Sequence, residues 1–174
     1  NWKSQSLRWV VTKCMLKQQI QVDIKEAMKA KDANTVMVLR GAVASMNAKE
    51  KESFHKLGKE VILTDDEIIS VLTSEVKKRK DAIALYEQGG RPELAETEKA
   101  EIAILQKYLP EQLSGEDLEK LVAVAVEKIK GETKDPSTSL GQVMGKVMAE
   151  LAPQIKGRAD GGEGSKMVKK LLGI

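Results

Sequence analysis

The chain has 174 residues, 41% hydrophobic and 32% charged, a balance that supports one folded domain or two small ones and excludes the disordered class. Its net charge of +3 is carried by residues 1–14, which hold Lys3, Arg8 and Lys13 and no acid; from Met15 onward 26 bases face 26 acids. That excludes the overall basic field that grips nucleic acid, DNA included, through many phosphates and leaves room only for a local basic patch at the C-terminal end, and no run nears the roughly 18 apolar residues of a membrane span.

Aromatic residues make up only 3% of the chain, so a core must rest on Leu, Ile, Val, Ala and Met, which suits helix packing better than a β-sandwich. Charge is uneven along the body: Val61 to Lys120 carries 8 bases and 14 acids, whereas Gly141 to Ile174 carries 6 bases and 3 acids. Residues 1–14, with Trp2, Trp9, Arg8 and serines, read as the remnant of an organellar presequence, as foreign sequence ahead of Met15, or as a disordered tail. Cys14 is the single cysteine; it predicts no intrachain disulfide and no thiolate metal site, and favours a reducing compartment. A soluble protein of the cytoplasm, or of a mitochondrial or plastid matrix if the leader is a presequence, is the expectation.

In chain order, Leu16, Ile20, Ile24, Ala27 and Met28 recur at helical spacing and predict a first helix. A short turn at 31–34 follows, with Asn34 as the expected cap of a second helix bearing Val36, Leu39, Val43 and Met46. Residues 49–62 lose the period and contain Gly58, which predicts a loop, with or without a frayed helix end running into it. Thr64 with Glu67 three residues on is a capping box opening a third helix along Ile68, Ile69, Leu72, Val76, Ile83 and Tyr86. Gly89-Gly90 stops it, Pro92 opens the fourth, and Pro110 ends that one after Leu94, Ile102, Leu105 and Leu109. Ser114 starts a fifth helix through Leu118, Leu121, Val122, Ala125 and Ile129. A polar linker at 131–139 leads to a sixth, carrying Leu140, Val143, Met144, Val147, Met148 and Leu151 and stopping near Pro153. A loop at 156–162 precedes a short last helix with Met167, Val168, Leu171 and Leu172. The fold class is all-α: an N-terminal bundle of long helices over 15–109, then a small three-helix domain over 110–174, with 1–14 as an extension.

Catalytic signatures are missing. His55 is the only histidine and reads as a solvated loop residue. No phosphate-cradling GxxxxGK[ST], no GxGxxG and no HExxH occurs, and the many carboxylates fall where helix capping or a solvated face accounts for them. No catalytic residue, metal ligand or cofactor is therefore expected. The run Lys77–Lys80 spans more than one helical turn and lies beside Glu75 and Asp81, which favours a solvated face over an RNA contact. Gly141 and Gly145 share one helix face, and either another helix crosses tightly there or a ligand approaches. Lys156-Gly157-Arg158-Ala159-Asp160-Gly161 puts two bases in a glycine-bearing loop before a helix. Either the helix start and the bases form an anion site, or Asp160 caps the helix and pairs with Arg158.

Several segments carry a family likeness: Glu75 to Ile83 (EVKKRKDAI), Tyr86-Glu87, Gly90 to Ala95 (GRPELA), Tyr108 to Leu113 (YLPEQL), Gly145 to Met148 (GKVM) and Lys156 to Gly161 (KGRADG). In this order they resemble the YqeY-like proteins from Met15 to Leu172. That resemblance implies an all-helical fold with a smaller C-terminal domain. The C-terminal part is also similar to the tail of the B subunit of the glutamine-dependent amidotransferase acting on Glu-tRNA(Gln) or Asp-tRNA(Asn), a tail that contacts tRNA and holds no catalytic centre. Gly141, Met144, Lys156, Gly157 and Ala159 fall in the shared motif. The likeness brings the label of a carbon–nitrogen ligase with glutamine as amido donor, although the residues present include neither a kinase-like cradle nor an amidase nucleophile. Two departures stand out: residues 1–14 precede the usual start, and Gly161 to Ser165 (GGEGS) carries extra glycine.

Two functional readings follow. In the first, a non-catalytic accessory protein binds tRNA through Lys146, Lys156, Gly157, Arg158 and Lys166. In the second, Gly141, Met144, Gly145 and Met148 dock a protein partner such as an amidotransferase or ribosomal component, since Met-bearing faces adapt to partners. The ligase label is a third reading with no residues of its own.

Overall fold

The computed structural model describes residues 15–132 and 139–173. The expectations for residues 1–14, Cys14 included, and for 133–138 of the linker lie outside them. Seven helices and no strand occur among the described residues: α1 Met15–Lys29, α2 Ala33–Leu57, α3 Asp65–Gln88, α4 Pro92–Gln106, α5 Gly115–Glu132, α6 Leu140–Ile155 and α7 Gly161–Leu172. The fold is all-α. Contacts divide the chain into two units, one ending at Leu109 and the other beginning at Pro110.

In the first unit α1 packs along α2 and α3 along α4, while α2 touches both α3 and α4. The shared core contains Ile20, Leu39, Met46, Ile68, Leu72 and Leu105, all fully buried. Each such side chain contributes about 1.5–3 kcal/mol by leaving water. Start and stop chemistry fixes the boundaries. Lys31, at φ 59°, turns the chain out of α1. Asp32 rather than Asn34 caps α2, its carboxylate accepting from the Thr35 amide at 3.0 Å and from the Thr35 hydroxyl at 2.6 Å. Thr64 and Glu67 form the expected capping box of α3, and Gly90, at φ 68°, takes the left-handed turn after it.

The loop expected over 49–62 is instead helix as far as Leu57, and Gly58 at φ 66° ends it. Charge rather than apolar burial supports this last stretch. Glu52 pairs with both Lys49 and Lys56, and Glu50 takes the Lys17 ammonium at 2.7 Å. His55 is therefore helical, though exposed, with its ring edge-on to Phe54. At the other end of the unit α4 stops at Gln106, short of Leu109. Tyr108 and Leu109 still pack on the core, and the Tyr108 hydroxyl donates to Asp23.

The Lys77–Lys80 run divides by face. Lys78 is exposed and pairs with Glu75 at 2.8 Å. Arg79 turns inward, its side chain only 16% exposed, and binds Glu75 at 3.1 Å and Glu101 at 2.9 Å, joining α3 to α4. Partial burial works against the Arg79 charge, but the bonds to Glu101 and Glu75 outweigh it and hold the proton more firmly than usual. Glu75 likewise meets a burial cost, which bonds from Lys78 and Arg79 overcome, leaving its carboxyl below the ordinary glutamate range.

The second unit packs α5, α6 and α7 against one another around Leu118, Val122, Val147, Leu151 and Val168. Helix α5 continues to Glu132 and so includes Gly131, which the sequence assigned to the linker. Helix α6 does not stop at Pro153 but runs on to Ile155. Proline cannot bond the Ala149 carbonyl and its ring crowds it, but both residues are exposed, so that oxygen can turn to water. The last helix begins at Gly161, two residues earlier than the expected loop allowed.

Candidate nucleic-acid interface

The candidate residues all lie in the second unit, on α6, on α7 and on the loop between them. A capping box opens α6: the Gln142 amide donates to Ser139 Oγ at 3.3 Å, and the Ser139 amide donates to Gln142 Oε1 at 3.1 Å. From this start Val143, Val147, Leu151 and Ile155 face the core, with Met144 and Met148 packed at its edge. Gly141 and Gly145 point the other way. Both are exposed, and a Cβ built on Gly145 would meet nothing within 4 Å, while one on Gly141 would meet only Ser139 Oγ at 4.0 Å. The tight helix crossing that the pair of glycines suggested is thus absent from this unit. A close approach does occur at Gly164 in α7, where a Cβ would lie 3.4 Å from Ile155 Cδ1.

The loop after α6 is bound to the segment that enters the unit. The Leu113 amide donates to the Arg158 carbonyl at 2.8 Å. The Gln112 side-chain amide donates to the Gly157 carbonyl at 2.6 Å. Arg158 Nε donates back to the Glu111 carbonyl at 3.2 Å. Gly157 itself is at φ 74°, a left-handed conformation that costs a residue with a Cβ roughly 1–2 kcal/mol. Two of the family-like segments, Tyr108 to Leu113 and Lys156 to Gly161, therefore meet in space although 45 residues separate Gln112 from Gly157.

Of the two readings for this loop, the cap is present: Asp160 accepts from the Gly162 amide at 2.7 Å and opens α7. With that carboxylate and Glu163 in the first turn, the helix start already has its negative charge. A phosphate would have to be met by side chains instead. The pairing expected between Asp160 and Arg158 is replaced by the bond from Arg158 to Glu111.

Those side chains are available. Lys146, Lys156, Lys166, Lys169 and Lys170 are exposed and Arg158 is half-exposed, and none of the six forms an ion pair with a described residue. Lys166, Lys169 and Lys170 share one face of α7 by their spacing of three and four. The acids of the same stretch are largely committed. Glu150 holds Lys128 at 2.7 Å, raising the lysine's pKa through that bond, and Asp160 caps α7. The local charge is positive although the body as a whole is neutral.

Elsewhere the described residues offer little chemistry. A groove of about 460 Å³ between α2 and α3 is lined by Ser45, Glu52, Ser70, Glu75 and Lys78 among others, but its polar groups mostly satisfy one another, as when Ser45 donates to Glu75 at 3.1 Å. No buried side-chain nitrogen or oxygen among the described residues lacks a hydrogen bond. Among the described residues no cluster of His, Cys, Asp or Glu could hold a metal, and no helix is long and apolar enough to cross a membrane.

Residues 17–172 match the family described as Yqey-like protein. The chain is similar to three fungal proteins named "Altered inheritance of mitochondria protein 41, mitochondrial". That of Pyrenophora tritici-repentis is 28% identical over 89% of this chain and 80% of its own length. Those of Kluyveromyces lactis and Candida glabrata are 34% and 30% identical, over 77% and 74% of this chain and 70% and 68% of their own lengths. Spanning nearly every described residue, the match shows that this chain belongs to the YqeY-like family.

Proposed function

We propose that this protein is a non-catalytic accessory factor that binds tRNA through its C-terminal unit, in a role linked to amidotransferase or translation. The observation that carries the reading is the set of six bases at Lys146, Lys156, Arg158, Lys166, Lys169 and Lys170, none paired with a described carboxylate. Exposed lysines are often unpaired, so their number alone decides nothing. What distinguishes them is that two of the three acids of the same stretch, Glu150 and Asp160, are engaged elsewhere, while these cations pair with no described carboxylate. The likeness of this unit to the tRNA-contacting tail of the amidotransferase B subunit supports the same reading. The relatives carry "mitochondrial" in their names, and we extend that compartment to this chain.

Phosphate contacts release counterions, so binding through these bases weakens steeply with salt. Fluorescence anisotropy with labelled tRNA at 50 and 200 mM salt tests this. Wild type should lose affinity strongly across that range, and Lys156→Ala/Arg158→Ala should bind about tenfold or more weakly at low salt. Absence of binding at 50 mM would refute the reading. A second reading, docking of a protein partner, rests on the open face at Gly141 and Gly145 beside Leu140, which is 51% exposed. An apolar interface would survive the salt change.

A further inference from the structure

We infer that Arg158 is the phosphate-orienting group of this unit, and that Gln112 acts on the ligand only as the positioning residue that fixes the loop carrying it. The inference rests on the tRNA reading and goes beyond it by assigning unequal roles to the bases.

Five of the six bases are lysines at the ends of flexible stems, point charges that can meet a phosphate from many directions. Arg158 is built differently. Its backbone carbonyl accepts from the Leu113 amide, and the carbonyl before it, that of Gly157, accepts from Gln112 Nε2. Its Nε donates to the Glu111 carbonyl. Both ends of the residue are thereby tied to the segment 111–113. The two η nitrogens have no protein partner among the described residues. A guanidinium bound at Nε keeps its outer edge, with donors in fixed parallel geometry, for a bidentate contact to one phosphate group. The carbonyl that fixes it is neutral, so the positive charge is undiminished, unlike that of an arginine paired with a carboxylate. Ordering such a fork before binding removes part of the entropy cost of the contact.

The left-handed Gly157 explains how Gln112 takes part. Turned this way, the Gly157 carbonyl accepts the Gln112 amide, which also donates to the Pro110 carbonyl at 3.1 Å. Gln112 is itself exposed, so a side chain of equal length without donors alters these bonds and little of the packing.

The test uses the full chain and labelled tRNA, with anisotropy at a series of salt concentrations and a thermal melt for each variant. Arg158→Lys keeps the charge and loses the fork; it should bind about tenfold more weakly with the salt slope unchanged. Arg158→Ala should lose affinity and also reduce the slope by about 0.7–0.9, one phosphate contact. Gln112→Met should reproduce the Arg158→Lys pattern, at about a threefold to tenfold loss, and add nothing on the Arg158→Ala background. Lys156→Arg should stay within about twofold of wild type. General loosening of the unit would instead lower the melt and remove several contacts from the slope. Arg158→Lys alone decides the matter should Gln112→Met fail to fold. Wild-type binding with Arg158→Lys and Gln112→Met equal to it would overturn this inference and leave the tRNA reading standing. No binding by wild type would overturn both.

Discussion

Arg79 and Arg158 are the same residue put to opposite uses in the two units. Arg79 is surrounded: Glu75 and Glu101 bind it, Glu98 lies at 3.9 Å, and its charge is spent joining α3 to α4. Arg158 is held through one nitrogen by a neutral carbonyl and keeps its charge. The contrast extends beyond the two arginines. In the first unit Lys17, Lys49, Lys56, Lys78, Arg91 and Lys99 all pair with carboxylates. In the second, the cations beyond Gly141 pair with none among the described residues. The contrast is one of degree, since Lys25, Lys29, Lys31, Arg40, Lys51, Lys59, Lys80 and Lys107 of the first unit also form no ion pair with a described residue. The first unit ties part of its cations to carboxylates, and the stretch beyond Gly141 ties none. Function is better sought in how charges are paired than in how many there are.

The comparison can be broken by variants that act on one unit alone. The largest effect is expected from Leu151→Ala. Its side chain is fully buried in the second core, and its loss should cost about 3 kcal/mol by urea unfolding. A separate transition of the first unit should not shift. Next, Arg79→Ala takes the guanidinium from mostly buried Glu101 and leaves Glu75 with Lys78 and Ser45 alone. About 2 kcal/mol of stability should be lost, less than for a wholly buried pair, while tRNA affinity stays unchanged. The same network gives a pH dependence. The Glu75 pKa is lowered on folding, so its contribution is complete above the ordinary glutamate value of 4.5 and is lost as pH falls through the folded value. Melting of wild type should weaken below that point more than melting of Glu75→Gln. The smallest effect is expected from Tyr108→Phe, at about 1 kcal/mol for one hydrogen bond. Burial first, and then the bond to Asp23, raise the Tyr108 pKa, so this contribution is present at neutral pH and is lost as pH rises through the raised value. Alkaline melts of wild type and Tyr108→Phe should converge.

Much of the helical order was legible because apolar spacing and capping residues are local. Thr64 with Glu67 announces the start of α3, and Gly90 its end. The errors have equally local causes. Helix α2 extends to Leu57 through ion pairs, while Phe54 and Leu57 stay 47% and 61% exposed. A pattern sought in buried residues is silent there. Asn34 looked like a cap because the left-handed Lys31, which sets the register of α2, leaves no mark in the sequence. Pro153 looked like a stop because its exposure, which makes the lost bond tolerable, depends on tertiary packing.

The candidate site was legible as a set of residues but not as an arrangement. Lys146, Lys156, Arg158 and Lys166 were named from local charge and the family likeness, whereas Lys169 and Lys170 were not singled out. Gln112 could not be found from sequence, because its partner is 45 residues away. The segment Tyr108 to Leu113 did mark it as part of a family pattern, without saying what the pattern held together. The glycine pair on α6 gave the converse lesson. Spacing placed Gly141 and Gly145 on one face correctly, but only packing shows that nothing within the unit covers them.

The placement of the binding site in the C-terminal unit is tested most directly by removing equal, unpaired charge from each unit and reading the salt slope of tRNA binding. Lys25→Ala/Lys80→Ala and Lys146→Ala/Lys166→Ala each take two exposed lysines from the full chain. The second pair should reduce the slope by about 1.4–1.8, two phosphate contacts, and the first should leave it within error of wild type. Equal reductions from both pairs would mean that tRNA responds to the chain's overall charge, and would contradict a binding site in the C-terminal unit.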